Sequence, residues 1–113
     1  MRAQLDSHPA LVVSILRYEQ RLRGSVEQFK AVVQLVDGSY LHLNEVWIEG
    51  ELRKYAYYQV TPGDQVIRGW DNAPHHPEVA THPHHLHRAD VSASEVRSLA
   101  DVLDVLEVAC ANE

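Results

Sequence analysis

The stretch Phe29–Ile48, FKAVVQLVDGSYLHLNEVWI, decides the fold of this chain. It holds two runs rich in β-branched and aromatic residues, and Asp37-Gly38 separates them. Asp-Gly at such a position predicts a two-residue hairpin loop, because a type I′ turn needs positive φ at both central residues. The resulting register places Lys30 opposite Glu45.

A second hairpin is predicted just before this one. A Gly-Ser turn can close it, which places Glu19 opposite Lys30 and Leu16 opposite Val33. The strand that leads into it, residues 11–23, also fits a helical stripe of apolar residues, but its β-branched residues favour a strand. These registers predict one apolar sheet face, made of Leu16, Tyr18, Leu22, Phe29, Ala31, Val33, Leu35, Tyr40, Val46 and Ile48.

The rest of the chain adds strands and a helix. Leu52–Val60 and Gln65–Trp70 are strand-like runs on either side of a Pro-Gly turn. Ser92 to Glu95 matches a capping box, and the apolar stripe after it predicts a helix that covers one sheet face. The acidic residues of that helix are interpreted as a solvated face, with a docking surface for a basic partner as the alternative.

The predicted fold is therefore α+β: a curved antiparallel meander of about five strands, packed on a C-terminal helix. A length of 113 residues fits a single domain over residues 1–113. Within it we expect the sheet over 11–71, an ordered His- and Pro-rich loop over 72–91 and the helix over 92–111.

Composition narrows the function classes. Ten Lys plus Arg against sixteen Asp plus Glu give a net charge of −6, which argues against a generally basic nucleic-acid-binding protein. The chain has eight His, however, and their protonation would raise the charge to about +2. A single cysteine, Cys110, cannot form an internal disulfide, and no apolar run approaches the roughly 20 residues that span a membrane. We expect a cytoplasmic protein.

Most of the His lie between Pro74 and Arg88, in a segment that also contains Pro77 and Pro83. Proline restricts its own backbone and the residue before it, so this segment is predicted to be a stiff loop, which suits a site. One interpretation is that it binds a divalent transition metal, since imidazole suits zinc, nickel, copper or iron. The ligands would come from His82, His84, His85 and His87.

A second interpretation is acid–base catalysis, for which no cofactor is expected. Two His in different protonation states can remove a proton from a 2′-hydroxyl of RNA and donate one to the leaving 5′-oxygen. Arg68, Lys54 or Arg88 would stabilise the charge that develops on the phosphate. The third interpretation is structural: the rings satisfy backbone groups and pack against Trp70 and Tyr57.

Several motifs together resemble the TumE family of small prokaryotic proteins. The resemblance covers roughly residues 26–110 and is carried by Asp37-Gly38-Ser39 with Leu41 and Glu45, Lys54-Tyr55-x-Tyr57, Arg68-x-x-Asp71-Asn72-Ala73-Pro74-His75-His76, Pro83-His84-His85-x-His87 and the capped helix. Members are described as toxins of type II toxin–antitoxin pairs, usually encoded beside a small DNA-binding protein. The resemblance therefore implies a DNA-binding antitoxin as partner.

Two functions stay open at this point. The loop chemistry and the resemblance together give the catalytic candidates His75, His76, His84, His85, His87 and Asp71, and the substrate-binding candidates Lys54, Arg68 and Arg88. The first function is a toxin that cleaves RNA without a metal, with Asp71 orienting one of the His. The alternative is a non-enzymatic interaction or metal-binding module that forms a homodimer or binds a partner. Its contact face would carry Val13, Ile15, Val32, Leu41, Leu43 and Trp47.

Overall fold

Successive hairpins build one antiparallel sheet, and a C-terminal helix packs against it. The computed structural model describes residues 1–73, 85–87, 91–93 and 98–111. The elements are α1 (Arg2–Asp6), β1 (Val12–Arg23), β2 (Val26–Leu35), β3 (Tyr40–Ile48), β4 (Glu51–Val60), β5 (Val66–Asp71), β6 (His85–His87), β7 (Val91–Ala93) and α2 (Leu99–Ala111). The strands are hydrogen-bonded in the order in which they occur along the chain. The predicted α+β fold, a meander of five long strands with a C-terminal helix, is confirmed.

The turn between β2 and β3 differs from the prediction by one residue. Leu35 N donates to Ser39 O at 2.8 Å, so the loop has three residues, and of Asp37 and Gly38 only Gly38 has positive φ, at 89°. A three-residue loop that ends in a left-handed residue is the next most common hairpin connection. Lys30 consequently lies opposite Asn44, and its predicted pairing with Glu45 is wrong.

This shift moves every side chain of β3 to the other face of the sheet, because side chains alternate with a period of two. Leu41 and Leu43 are buried in the core, whereas Tyr40 and Val46 of the predicted apolar face are only partly buried. The mixed contact face of the alternative function therefore loses Leu41, Leu43 and Trp47. A hairpin with two left-handed central residues does occur, at Glu49 and Gly50 between β3 and β4.

The first hairpin agrees with the prediction near its turn and departs from it farther away. Residues 12–23 form a strand, and Glu19 lies opposite Lys30 as predicted. Val33, however, lies opposite Ile15, since the register shifts between Ile15 and Arg17. Leu16 is the extra residue of this bulge and is 57% exposed, so its predicted place in the core is wrong.

The core lies between the sheet and the two helices. Its buried members are Leu5 and Leu11 near the N-terminus, Ala31, Val33, Leu35, Leu41, Leu43, Tyr55, Tyr57 and Trp70 on the sheet, and Leu99, Val102, Leu103 and Leu106 on α2. The helical members recur at intervals of three and four residues, which gives one apolar stripe. We call the sheet face under this stripe the covered face.

The segment before α2 differs from the expected loop and capping box. A short strand, β6, extends the sheet within the predicted loop, and another, β7, begins at the end of that loop and continues into the predicted helix. Ser92 lies in β7 and therefore does not cap a helix that begins at Leu99, while Glu95 lies outside the described residues. Among the residues that the structure describes, no helix is long and apolar enough to cross a membrane.

Candidate functional site

The sheet face opposite the helices carries most of the polar side chains that could act on a ligand. We call it the open face. Alternation along the strands and the observed register place on it Arg17, Glu19, Arg21, Arg23, Gln28, Lys30, Val32, His42, Asn44, Val46, Lys54, Ala56, Tyr58, Gly69 and Asp71. The corrected β3 register decides this membership, since His42 and Asn44 would otherwise lie on the covered face.

Charge is unevenly divided between the two sides of the sheet. The basic residues of the open face are Arg17, Arg21, Arg23, Lys30 and Lys54, and its acidic residues are Glu19, Glu51 and Asp71. On the other side, α2 carries acidic residues and has no Lys or Arg between Leu99 and Ala111. The net charge of −6 therefore conceals a basic surface, and such a surface can attract an anionic ligand.

Asp71 lies at the end of β5 and is only 5% exposed. Tyr58 Oη donates to Asp71 Oδ2 at 2.5 Å, and the backbone N of Ala73 donates to Oδ1 at 3.0 Å. Burial, followed by the hydrogen bond to Asp71, raises the pKa of the Tyr58 phenol. Tyr58 therefore remains a hydrogen-bond donor to the carboxylate throughout the neutral pH range.

A glycine on the neighbouring strand leaves room for the Tyr58 ring. Gly69 lies directly opposite Tyr58 on the neighbouring strand. A Cβ atom on Gly69 would lie 2.1 Å from Tyr58 Cδ1, well inside any permitted contact. The ring thus lies over the backbone of β5, where only glycine leaves room for it.

Asn72 fixes the end of β5 against β4. Its Nδ2 donates to the carbonyl of Arg53 at 3.1 Å, and its Oδ1 accepts from the backbone N of Tyr55 at 2.9 Å. Both hydrogen bonds go to the backbone of the neighbouring strand. The role of Asn72 is therefore structural: it holds the chain next to Asp71 against β4.

The structure brings some of the predicted site residues together and separates others. His85 lies opposite Asp71 and His87 lies opposite Gly69 in the β5–β6 register. Lys54 is on the open face with Asp71 and is exposed. Arg68 lies opposite Gln59 on the covered face, away from Lys54, and its buried Nε has no hydrogen-bond partner among the described residues. The predicted residues His75, His76, His82, His84 and Arg88 lie outside the described residues.

Three residues of the open face were missed by the sequence analysis. They are Lys30, His42 and Tyr58, and the last two lie directly opposite each other on β3 and β4. The signal that could have found them is parity: Lys30, His42 and Tyr58 fall on the face opposite the buried apolar residues once the three-residue turn is assigned.

Two depressions on the open face share part of their lining. One has a volume of about 270 Å³ and is lined by residues that include Lys30, His42 and Tyr58. The other has a volume of about 290 Å³ and includes Lys54 and Asp71. Asn44 and Ala56 line both, so the two depressions adjoin, and we call them together the groove.

One further group could hold a cation among the described residues, and it lies on the helical side. Ligand atoms of His8, Asp104 and Glu107 are within 4.8 Å of one another, and His8 Nδ1 and Glu107 Oε2 are 2.8 Å apart. Asp104 is exposed and Glu107 is partly exposed. The contact between His8 and Glu107 connects the N-terminal segment to α2. This contact stabilises the packing of the helical layer, and the group is remote from the groove.

The fold and groove define a small α+β protein with a basic open sheet face and a histidine-bearing strand at one side. The family model described as Toxin TumE matches residues 2–112. The chain therefore belongs to the TumE toxin family, which confirms the predicted resemblance, and a toxin of this kind has an antitoxin as its partner. No curated protein and no solved structure matches the chain at a significant level.

Proposed function

We propose that this toxin is a ribonuclease whose active site lies at the Asp71 end of the groove. The observation that carries the proposal is the β5–β6 register, which places His85 opposite Asp71 at the margin of a basic sheet face. A carboxylate beside a His can set the tautomer and orientation of the imidazole, as in catalytic triads. A basic surface beside that pair suits a phosphodiester.

The reaction needs only groups that this chain can supply. His85 accepts the proton of a 2′-hydroxyl, and the resulting oxygen attacks the adjacent phosphorus. A second loop His, either His75 or His76, donates a proton to the 5′-oxygen as the P–O5′ bond breaks, leaving a 2′,3′-cyclic phosphate. Lys54 stabilises the charge on the phosphate oxygens, and no metal ion is required.

The other predicted site residues are not assigned a catalytic step in this proposal. His84, His87 and Arg88 are close in sequence to His85 and are tested as contributors to binding. Arg68 is left out of the phosphate site because it lies on the covered face. The antitoxin, expected to be a DNA-binding protein, would suppress toxicity by covering or distorting the groove.

The test compares two histidine variants of the full chain. Expression without the antitoxin is expected to stop growth and degrade cellular RNA, and His85→Ala is expected to abolish both. His8→Ala is the matched control, because His8 lies on the helical side of the sheet and pairs with Glu107. Purified tag-free protein should cleave RNA in the presence of EDTA. Unimpaired growth at high expression, or a fully active His85→Ala protein, would overturn the proposal.

A second candidate function, a homodimer or partner interface, is favoured by the edge strand β1. Val13, Leu16 and Leu22 on this strand are 60%, 57% and 71% exposed. An edge strand with exposed apolar side chains is a common pairing surface. Leu22→Glu is expected to lower the mass measured in solution if the chain pairs there, and an unchanged mass at the monomer value would exclude this dimer.

A further inference from the structure

Two rings form the centre of the groove. His42 and Tyr58 lie directly opposite each other on β3 and β4, and Val32 and Gly69 continue the same row across the sheet. His42 is exposed and Tyr58 is partly exposed. Directly opposite residues of an antiparallel pair have Cβ atoms roughly 4.5–5.5 Å apart, so His42 lies beside the base of the Tyr58 side chain. The Tyr58 ring extends from there over Gly69 toward Asp71.

Cations and an amide surround this pair. Lys30 and Arg17 line the same depression, and Lys30 is in the row next to His42. Arg17 also donates to Glu19, and Lys30, which lies opposite Glu19, is exposed. Asn44, which accepts a hydrogen bond from Gln28 at 3.3 Å, lies between the two depressions.

We propose that Val32, His42 and Tyr58 form a stacking platform for an unpaired base, and that the substrate is single-stranded RNA. This inference rests on the proposed ribonuclease function and specifies its substrate class. Base faces are accessible to protein rings only where the bases are unpaired, because a duplex keeps them stacked inside. Rings on a sheet face with cations around them are how many proteins bind single strands.

The position of the platform relative to Asp71 supports this assignment. Tyr58 lines the depression that contains His42, and its hydroxyl contacts Asp71, which lines the other depression. A nucleotide stacked on His42 and Tyr58 would therefore place its ribose and 3′-phosphate toward Asp71 and Lys54. Lys30 would contact the phosphate on the other side of the same nucleotide.

The test measures binding separately from cleavage. The His85→Ala protein, in which cleavage is blocked, is titrated against a fluorescein-labelled ten-nucleotide RNA and against the same RNA in a duplex, using anisotropy. The single strand is expected to bind at least about tenfold more tightly, and adding His42→Ala is expected to weaken it about 5- to 100-fold, the loss of one stacked base. Lys30→Ala should reduce the slope of log K against log salt by about 0.7.

Two substitutions at position 42 separate stacking from other effects. His42→Phe keeps an aromatic face and should retain binding, whereas His42→Leu keeps the bulk without that face and should weaken it as His42→Ala does. The control is again His8→Ala, which should bind as the parent protein does. Circular dichroism melts show whether each variant is folded.

The outcomes distinguish this inference from the proposed function. Equal binding of duplex and single strand, no binding of the single strand, or unchanged binding by His42→Ala would overturn the platform even if the unmodified protein cleaves RNA. Binding that depends on His42, without cleavage by the unmodified protein, would support the platform and overturn the ribonuclease proposal.

Discussion

The two faces of the sheet hold the same chemical pair in different surroundings. On the covered face Tyr57 donates to Glu45 at 2.7 Å, and on the open face Tyr58 donates to Asp71 at 2.5 Å. The two tyrosines are consecutive on β4 and therefore project to opposite sides. Both carboxylates are nearly buried, at 3% and 5% exposure.

The difference lies in what else each carboxylate meets. Glu45 also accepts from the indole Nε1 of Trp47 at 2.9 Å, so each of its oxygens has a neutral side-chain donor inside the core. Each oxygen of Asp71 also accepts from a neutral donor, Tyr58 or the Ala73 backbone, but this carboxylate lies at a strand end and lines a groove. In the β5–β6 register, Asp71 is paired with His85. A carboxylate enclosed by neutral donors stabilises packing, whereas one at a groove beside a His can take part in chemistry.

The largest effects are expected when each of the two carboxylates is replaced by the corresponding amide. Asp71→Asn is expected to lower RNA cleavage by about 10²- to 10⁴-fold, because in the proposed mechanism Asp71 orients the His85 imidazole. Glu45→Gln is expected to keep its activity per folded molecule and to lower the free energy of unfolding by about 1–3 kcal/mol. Cleavage assays and urea unfolding of both proteins measure this. A fully active Asp71→Asn protein would contradict the proposed difference between Asp71, as a catalytic group, and Glu45, as a structural one.

A glycine substitution tests whether the Tyr58 position matters. Gly69→Ala is expected to cost about 1–3 kcal/mol of stability, because the new Cβ would overlap the Tyr58 ring and force it away from Asp71. Gly63→Ala is the control, since its nearest atom would be 3.8 Å away and its φ is not positive. Thermal unfolding compares the two, and equal melting temperatures would contradict the expected overlap.

Removing one hydroxyl from each pair sharpens the comparison further. Tyr57→Phe leaves a buried oxygen of Glu45 without its donor and should cost about 1–3 kcal/mol. Tyr58→Phe removes a donor at a partly exposed site and should cost about 1 kcal/mol or less, and it should retain RNA binding because the aromatic ring remains. Chemical denaturation and anisotropy measure both effects. A larger loss of stability in Tyr58→Phe than in Tyr57→Phe would contradict this expectation.

The smallest effect is expected at alkaline pH. Burial raises the pKa of both Tyr57 and Tyr58, and the neighbouring carboxylate raises each further. Since the folded pKa values exceed the unfolded value of about 10, the stability from these groups is complete below pH 10 and declines as the pH rises above it. Absorbance at the phenolate band should show two tyrosines that ionise late, and Tyr58→Phe should remove one of them. A single transition near pH 10 for all five tyrosines would contradict this.

The sequence predicted the kinds of elements better than their registers. Runs such as Phe29–Val36 are rich in β-branched residues, which favour strands, so local pattern was sufficient to predict the meander. The turn at Asp37 and Gly38 was also found, but its length was not: two- and three-residue loops accept the same residues, and the choice depends on which face can be buried. The capping motif at Ser92 failed because its segment pairs with β6.

The candidate site was predicted in part for the same reason. Asp71, Lys54 and His85 could be named from the chemistry of their side chains and from motif resemblance. His42 and Lys30 could not, because their membership of the open face depends on strand register. Arg68 was assigned to a phosphate site from its charge, although alternation along β5 puts it on the covered face.

The sequence by itself determined the fold class, the TumE family and the presence of a His-rich segment, because these follow from local patterns and motifs. Only the tertiary structure decided which face each residue joins, and thus that an acidic chain has a basic open face with Asp71 at its margin, opposite His85 in the strand register. The physical reason is that a strand's faces are exchanged by a shift of one residue, and burial of the core selects among such shifts.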